Sequence, residues 1–222
     1  MAEDDIPVTP DLVLQAYCAG YFPMARSERG RKLYWFDPDT RGILPLEHPN
    51  AFHVPRSLKK FLRNCMFDIT VNADFESVIT ACAKTRNASR DDTWINPQII
   101  SLYTELHRMG YAHSVEVWSK SQHASDSALI GGLYGISIEG AFFGESMFSR
   151  RTNASKAALV HLVKRLNAAG YSLLDAQFEN DHLTQFGFCS VPRSDYRTRL
   201  RHALSISPNP SSRFLTVSVS KF

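Results

Sequence analysis

The sequence predicts an α+β fold, in which segments with strand and helix periodicity are interspersed. Two apolar, β-prone runs, residues 129–138 and 141–148, flank Glu139-Gly140 and predict a β-hairpin whose tight turn exploits the freedom of glycine. From His113 onward the patterns follow the order strand, strand, strand, helix, strand, helix. A chain of 222 residues can bury a substantial core, as two small domains or one elaborated domain.

The first half carries clear helix start signals. Thr9-Pro10-Asp11 predicts an N-cap, a proline in the first turn and an acid near the helix N-terminus, with Gly20 as the stop. Further helices are predicted over residues 57–64, after Asp74, and from Asn96-Pro97 to Gly110, and a strand is predicted over residues 67–71.

The second half is predicted in the same way. After the strand at residues 113–118 and the hairpin, Asn153 or Ser155 caps a helix that ends at Gly170. Residues 171–178 form a strand in which Asp175 and Gln177, two apart, point to one face. A short helix at 182–186 and a helix from Ser194 to about Leu204 precede a tail.

The hairpin contains an unusual carboxylate. Glu145 lies among aromatic residues and Met147, where a carboxylate is costly unless it has a partner. A Glu at the edge of the core that points to water is the alternative, and we favour a functional residue. Glycines interrupt both strands, which indicates that another backbone or a ligand comes close.

Composition limits the class of protein. The net charge of +3 permits nucleic-acid binding without proving it, and the basic segment 56–63 is either a solvated face or a phosphate-contacting surface. The four cysteines are widely spaced, so no zinc site is expected. No signal core and no run of membrane-spanning length is recognised, so we expect a cytoplasmic protein with reduced thiols and no membrane partner.

Several unusual motifs then point to one family. G-G-L-Y-G-I, G-E-S-M-F-S-R, N-A-S-K-A-A-L and L-L-D-A-Q-F resemble the leucyl/phenylalanyl-tRNA–protein transferases. So do F-P-M, W-F-D-P-D-T-R-G-I-L-P-L, F-H-V-P-R-S-L-K-K, D-T-W-I-N and H-S-V-E-V-W in the first half. The resemblance runs from about Leu12 to Leu204 with the motifs in order, which makes it far more specific than a lone motif.

The resemblance implies an enzyme that moves Leu or Phe, less readily Met, from aminoacyl-tRNA onto proteins with N-terminal Lys or Arg. The product is marked for N-degron degradation. The implied fold is a small N-terminal α/β domain plus a GNAT-like N-acyltransferase domain with a mostly antiparallel mixed sheet. We place these domains at residues 1–65 and 66–205, with a C-terminal tail at 206–222, and we expect a monomer without a cofactor or a metal.

The chemistry requires a proton acceptor, and the resemblance implies which residues supply it. An α-amine attacks an activated ester, so the enzyme must position the amine, accept or relay its proton and stabilise the oxyanion. A Gln oxygen can accept a hydrogen bond from the amine if a carboxylate orients its amide group. The family assigns this role to Asp175 and Gln177; from the residues alone, both could simply satisfy backbone groups. Glu145, the third catalytic candidate, is implied to lie near the amino group of the donor.

The resemblance also implies a donor pocket. Its walls are Trp94, Leu133, Phe142, Met147, Leu162 and Leu174, and Asn180 is a further substrate-binding candidate. Many members of the family have Trp where this chain has Met24, so the role of Met24 in the pocket is open. Phe142 and Glu145 differ in strand parity, and a shared pocket therefore needs a bulge, which we expect at Gly144.

Two other functions are weighed. An acetyl-CoA-dependent acetyltransferase would need a glycine-rich loop before the helix, and residues 150–155 contain no glycine. A non-catalytic RNA-binding module would explain only scattered basic and aromatic residues. A serine hydrolase is excluded, because G-E-S-M-F lacks the closing glycine of G-x-S-x-G.

Overall fold

The computed structural model describes residues 8–30, 32–48, 51–65, 67–85, 93–119, 127–179 and 181–209. The helices of this part are α1 (Pro10–Cys18), α2 (Arg56–Asn64), α3 (Phe75–Lys84), α4 (Pro97–Arg108), α5 (Ala154–Ala169), α6 (Asp181–Thr184) and α7 (Arg193–Leu204). Its strands are β1 (Phe22–Ala25), β2 (Leu33–Phe36), β3 (Thr40–Pro45), β4 (Phe67–Val71), β5 (Ala112–Ser119), β6 (Leu129–Ile138), β7 (Ala141–Ser149), β8 (Leu173–Gln177) and β9 (Cys189–Pro192).

A seven-stranded sheet organises these elements in the order β4-β5-β6-β7-β8-β3-β9, and β1 and β2 form a separate hairpin. Within the large sheet, β7 and β8 are parallel and every other neighbouring pair is antiparallel. A mainly antiparallel mixed sheet is therefore confirmed. The parallel pair results from α5, because a parallel connection needs a crossover long enough to carry the chain back.

Two hydrophobic clusters cover the two faces of the sheet. Adjacent residues alternate between them, as strand geometry requires: Tyr134 and Phe143 join the cluster of α1, α3, α4 and α7, while Leu133 and Phe142 join the cluster of α2 and α5. The sheet is thus buried on both sides. Helix α5 contributes nine buried residues to the second cluster, which explains the apolar stripe that the sequence shows there.

The predicted helix starts are largely confirmed. Thr9 Oγ1 accepts a hydrogen bond from the Leu12 amide at 3.3 Å, and the side chains of Asp74 and Asn96 cap α3 and α4 in the same way. Helices α5 and α7 are exceptions. Asn153 lies at the N-cap of α5, but its side chain makes no capping hydrogen bond. Helix α7 begins at Arg193 after Pro192, so Ser194 lies inside the helix. The strands β1, β2, β3 and β9 were not predicted from their short patterns, since such strands depend on partners that are distant in sequence.

The β6–β7 hairpin forms as predicted, but Gly140 does not supply the left-handed residue of its turn. Glu139, not Gly140, has the positive φ, at 48°. A Cβ on Gly140 would lie 2.8 Å from the carbonyl oxygen of Ala203, so the missing side chain makes room for the end of α7. At Gly131 a Cβ would lie 2.5 Å from the Cβ of Ala154. The close neighbours that the glycines accommodate at these positions are thus protein atoms.

The sheet includes residues from both sides of the predicted boundary at 65/66. Strand β3, which precedes the boundary, lies between β8 and β9, which follow it. Of the predicted tail, residues 206–209 are described, and the Asn209 amide donates to the Ala169 carbonyl at 3.0 Å; residues 210–222 lie outside the described part. None of the described helices is both long and apolar enough to cross a membrane.

Candidate active site

A cavity of about 280 Å³ lies where β7 and β8 stop pairing. The parallel register runs from Ala141 opposite Leu173 to Phe143 opposite Asp175, and beyond this point the two strands diverge. All three predicted catalytic residues reach this gap: Glu145 from β7, and Asp175 and Gln177 from β8. Among the predicted substrate-binding residues, the lining contains Met24, Trp94, Leu133, Met147, Leu162 and Leu174.

Two predicted binding residues are not brought to this cavity by the described structure. Phe142 is fully buried in the cluster beneath α5 and is not part of the lining. Asn180 lies outside the described residues. The lining also includes side chains that were not predicted, among them Phe22, Tyr134, Leu159 and Phe188. Phe22 lies in β1 and Phe188 directly precedes β9, two strands that the sequence pattern did not reveal.

A β-bulge delivers Glu145 to the cavity. Opposite the consecutive residues Tyr134 and Gly135 of β6 lie Ser146 and Gly144 of β7, so Glu145 is one residue in excess. A bulge changes the direction in which the following side chains point. The bulge expected at Gly144 is therefore present, although Phe142, whose sharing of the pocket was the reason to expect it, is not part of the lining.

Glu145 is 8 % exposed and is held by three side chains. Tyr17 and Gln177 contact its Oε1 at 2.7 and 2.9 Å, and Tyr103 contacts its Oε2 at 3.2 Å. The hydroxyls of Tyr17 and Tyr103 also bond each other. Burial raises the pKa of Glu145 to about 8 from an ordinary 4.5, although hydrogen bonds from the two tyrosines oppose the shift.

Gln177 occupies a strained turn at the end of β8. Its φ is +62°, and the Phe178 amide donates to the Ala176 carbonyl at 2.7 Å, which closes a γ-turn around it. Positive φ in a side-chain-bearing residue costs on the order of 1–3 kcal/mol and is often associated with function. The Gln177 amide donates to Asp175 Oδ1 at 2.7 Å, which stabilises the turn.

Asp175 is fully buried in an ion pair with Arg41. Nε of Arg41 donates to both carboxylate oxygens at 3.0 and 3.1 Å, and its Nη2 donates to Oδ2 at 2.9 Å. The Tyr196 hydroxyl donates to Oδ2 at 2.7 Å, and the Arg41 guanidinium lies over the rings of Phe22 and Tyr196. This cluster ties β1, β3, β8 and α7 together beneath the cavity.

The structure assigns the orientation of the Gln177 amide to a different carboxylate from the one the sequence suggested. Nε2 of the Gln177 side chain donates a hydrogen bond to Glu145. The bond that Asp175 accepts from Gln177 comes from the main-chain N–H. Strand parity placed both side chains on one face, and the resemblance implied that Asp175 orients the side-chain amide of Gln177. The alternative, that Asp175 satisfies a backbone group, is what the structure shows. The γ-turn breaks that parity, so Asp175 supports the backbone and Glu145 holds the side chain.

The partners of both carboxylates escaped the sequence analysis. Tyr17 and Tyr103 lie in segments for which only helices were predicted, and no site role was predicted for them or for Arg41. A weak signal was present, since Arg41 directly precedes the apolar run G-I-L-P-L, and a charge beside such a run requires a partner. Among the described residues, no cluster of three or more His, Cys, Asp or Glu is suited to a metal ion.

Comparison with known families places these residues in context. The family model "Leucyl/phenylalanyl-tRNA protein transferase" matches residues 46–201, and the model of the N-terminal domain of the same family matches residues 7–39. The two matches leave their junction between residues 39 and 46, earlier in the chain than residue 65.

Individual relatives agree with the family match. A leucyl/phenylalanyl-tRNA–protein transferase of Paramagnetospirillum magneticum is 55% identical over 199 residues, which cover 90% of each chain. The protein of that name from Maricaulis maris is 52% identical over 86% of this chain and 84% of its own. Among solved structures, FemX is similar with a TM-score of 0.50 and 11% identity, over 82% of this chain and 66% of its own, which shows a shared fold alone.

Proposed function

Since the chain belongs to the leucyl/phenylalanyl-tRNA–protein transferase family, a family of aminoacyltransferases, we propose that it transfers Leu or Phe, less readily Met, from aminoacyl-tRNA to proteins with an N-terminal Lys or Arg. The product is an N-degron that directs the acceptor to degradation. The reaction is ester aminolysis: the α-amine attacks the ester carbon, a peptide bond forms, and the tRNA 3′-hydroxyl leaves.

The observation that carries the proposal is the polar end of the cavity. Because Gln177 directs Nε2 to Glu145, its Oε1 is left as an acceptor, and it takes no hydrogen bond from the residues that the structure describes. An attacking amine must lose a proton, and an amide oxygen beside it can accept the hydrogen bond that guides this loss. An α-amine has a pKa of about 8, so part of it is already the free base at neutral pH.

The apolar part of the cavity lining suits the donor side chain. Leu133, Leu162 and Leu174 form a nearly fully buried wall, while Met147 and Trp94 are half-buried. Met is flexible and adapts to apolar groups of different shape, which favours acceptance of both Leu and Phe. The donor ester would then lie between this wall and Gln177, with its amino group toward Glu145.

Asp175 has an indirect role in this proposal. It fixes the main chain of Gln177 through the amide hydrogen bond, and Arg41 neutralises its charge. The ester is already activated, so we propose that neither ATP nor a metal takes part. We further propose a monomer that acts in the cytoplasm, with a GNAT-like C-terminal domain preceded by the small N-terminal domain.

The proposed donor is an aminoacyl-tRNA, whose phosphates are negatively charged, and α2 offers a basic surface for them. Arg56, Lys59, Lys60 and Arg63 are all exposed on this helix. Phosphate contacts from such residues weaken steeply as salt concentration rises. A non-catalytic RNA-binding module would share this surface, but it would not need the strained Gln177 or the apolar wall.

The test is transfer from labelled Leu-tRNA to a peptide that begins with Arg, with labelled acetyl-CoA as the parallel donor. We expect transfer from the tRNA alone, unaffected by EDTA and abolished when the peptide α-amine is blocked. Activity with acetyl-CoA, or tRNA binding without any transfer, would contradict the proposal. A peptide with N-terminal Ala measures the acceptor preference separately.

A further inference from the structure

Four oxygen atoms beside the cavity form a closed circuit. Tyr17 Oη contacts Glu145 Oε1 at 2.7 Å, Tyr103 Oη contacts Glu145 Oε2 at 3.2 Å, and the two hydroxyls contact each other. The carboxyl carbon closes the ring. Tyr17 and Tyr103 are fully buried, so water does not compete for these contacts.

A count of protons determines the state of this ring. Each of the three O···O contacts needs one hydrogen, and the two tyrosines supply two. An ionised Glu145 supplies none, so one contact would join two lone pairs in a buried site. A neutral Glu145 supplies the third hydrogen, and all three contacts become hydrogen bonds. The count is the same whichever carboxyl oxygen carries the proton.

We propose that Tyr17 and Tyr103 are positioning residues, which hold Glu145 as a neutral acid in a closed ring and thereby fix the direction of the Gln177 amide. With every hydroxyl hydrogen committed to the ring, Oε1 of Glu145 can only accept from Gln177. The amide must therefore present its NH₂ to Glu145 and its oxygen to the cavity. The inference rests on the proposed function for its kinetic consequence and on the contacts alone for the ring.

The surrounding charges agree with a neutral acid. The titratable and charged groups that face Glu145 are Tyr17 of α1, Arg41 of β3, Tyr103 of α4, Tyr134 of β6 and Asp175 of β8, with Cys82 of α3 behind them. Arg41 is engaged by Asp175 at 2.9 Å, so its charge is already matched. Burial raises the pKa of each tyrosine well above 10 and that of Cys82 to about 12, so these groups are neutral.

Opening the ring should free the side-chain amide of Gln177 to reverse its direction. Without the Tyr17 hydroxyl, the acidic hydrogen of Glu145 is free to bond Gln177, which can then turn its amide over and present NH₂ to the substrate. Tyr17→Phe should therefore lower kcat about tenfold, part of the factor that a positioned proton acceptor contributes, with little change in KM for the donor. Glu145→Gln can still close the ring, because a primary amide also offers an acceptor oxygen and a donor, so its kcat should fall far less than that of Gln177→Ala, while KM for the donor rises because the donor amino group faces this side chain.

Infrared spectroscopy tests the ring without any activity. In the difference spectrum between wild type and Glu145→Gln at pH 7, we expect the carbonyl band of a protonated carboxylic acid. The paired bands of an ionised carboxylate would overturn the proposal even if the transfer reaction is confirmed. Equally, a clear acid band in a protein without transferase activity would support the ring and refute the proposed function.

Kinetics complete the test. Tyr171→Phe is the matched control, because this buried tyrosine bonds Ser137 at 2.6 Å and is not in the cavity lining. We expect Tyr171→Phe to keep the wild-type kcat, while the kcat of Tyr17→Phe falls about tenfold at unchanged tRNA affinity. A wild-type kcat for Tyr17→Phe, or a Glu145→Gln defect as large as that of Gln177→Ala, would overturn the proposal.

Discussion

Asp175→Asn should unfold the protein more readily, and the reason lies in Arg41. The two side chains are 0 % and 1 % exposed, and the substitution removes the only charge that directly pairs with this guanidinium among the described residues. Burial is the largest single influence and lowers the pKa of Arg41, but Asp175 together with Tyr196 and Tyr17 outweighs it and raises the pKa above its ordinary value. An arginine does not lose its proton inside proteins, so the guanidinium stays charged in the variant, without its counter-ion.

The magnitude follows from the geometry. Both oxygens of Asp175 accept hydrogen bonds, from Arg41, Tyr196 and the Gln177 amide. An Asn would turn its NH₂ toward donors in either orientation. Breaking a buried ion pair on one side costs about 3–5 kcal/mol, a large part of a typical total of about 5–15 kcal/mol.

Urea unfolding measures this loss. A separate double-mutant cycle, built from Arg41→Met and Asp175→Leu, isolates the coupling between the two side chains. We expect Arg41→Met with Asp175→Leu to be less destabilised than the sum of the single variants, because no buried charge is left over. Asp195→Asn, an exposed acid on α7, is the control and should stay within about 0.5 kcal/mol of wild type. If Asp175→Asn unfolds at the wild-type urea concentration, the account of this ion pair is wrong.

The remaining predictions concern the cavity and acid stability. Gln177→Ala should lower the single-turnover rate by about a hundredfold with tRNA affinity preserved. Substitution of the exposed Gln185 by Ala should leave the rate unchanged. A rate near wild type for Gln177→Ala would refute the role of Gln177 as the hydrogen-bond acceptor of the attacking amine. Met147→Ala should raise KM for the donor and have only a small effect on the free energy of unfolding. Leu162→Ala, in the buried wall, should lower the free energy of unfolding by about 2–5 kcal/mol. Burial, with nearby positive charge, lowers the pKa of His113 to about 3 from 6.5. The contribution of His113 to stability is therefore complete above pH 6.5 and falls as the pH drops below it, and His113→Gln should flatten this acid part of the dependence in urea titrations at stepped pH.

Local sequence signals determined much of the architecture. The caps at Thr9, Asp74 and Asn96 and the β6–β7 hairpin depend on residues a few positions apart, so they could be predicted without the fold. The sequence also singled out Glu145, because a carboxylate among aromatics is unusual, whereas Gln177 became a candidate through the motif L-L-D-A-Q-F and the resemblance that it carries. The bulge near Gly144 was expected from strand parity combined with a pocket that the resemblance assigned to both Phe142 and Glu145; the bulge is present, but Phe142 is not in the cavity lining.

Tertiary structure decided which groups meet. Tyr17 is 128 residues from Glu145, and Arg41 is 134 residues from Asp175, separations over which no periodicity predicts contact. The γ-turn at Gln177 depends on main-chain dihedral angles held by the buried Asp175, and it directs the side-chain amide to Glu145 and away from Asp175, the partner that the resemblance implied. A pattern fixes the face of an element on which a side chain lies, whereas its partner depends on how distant elements pack.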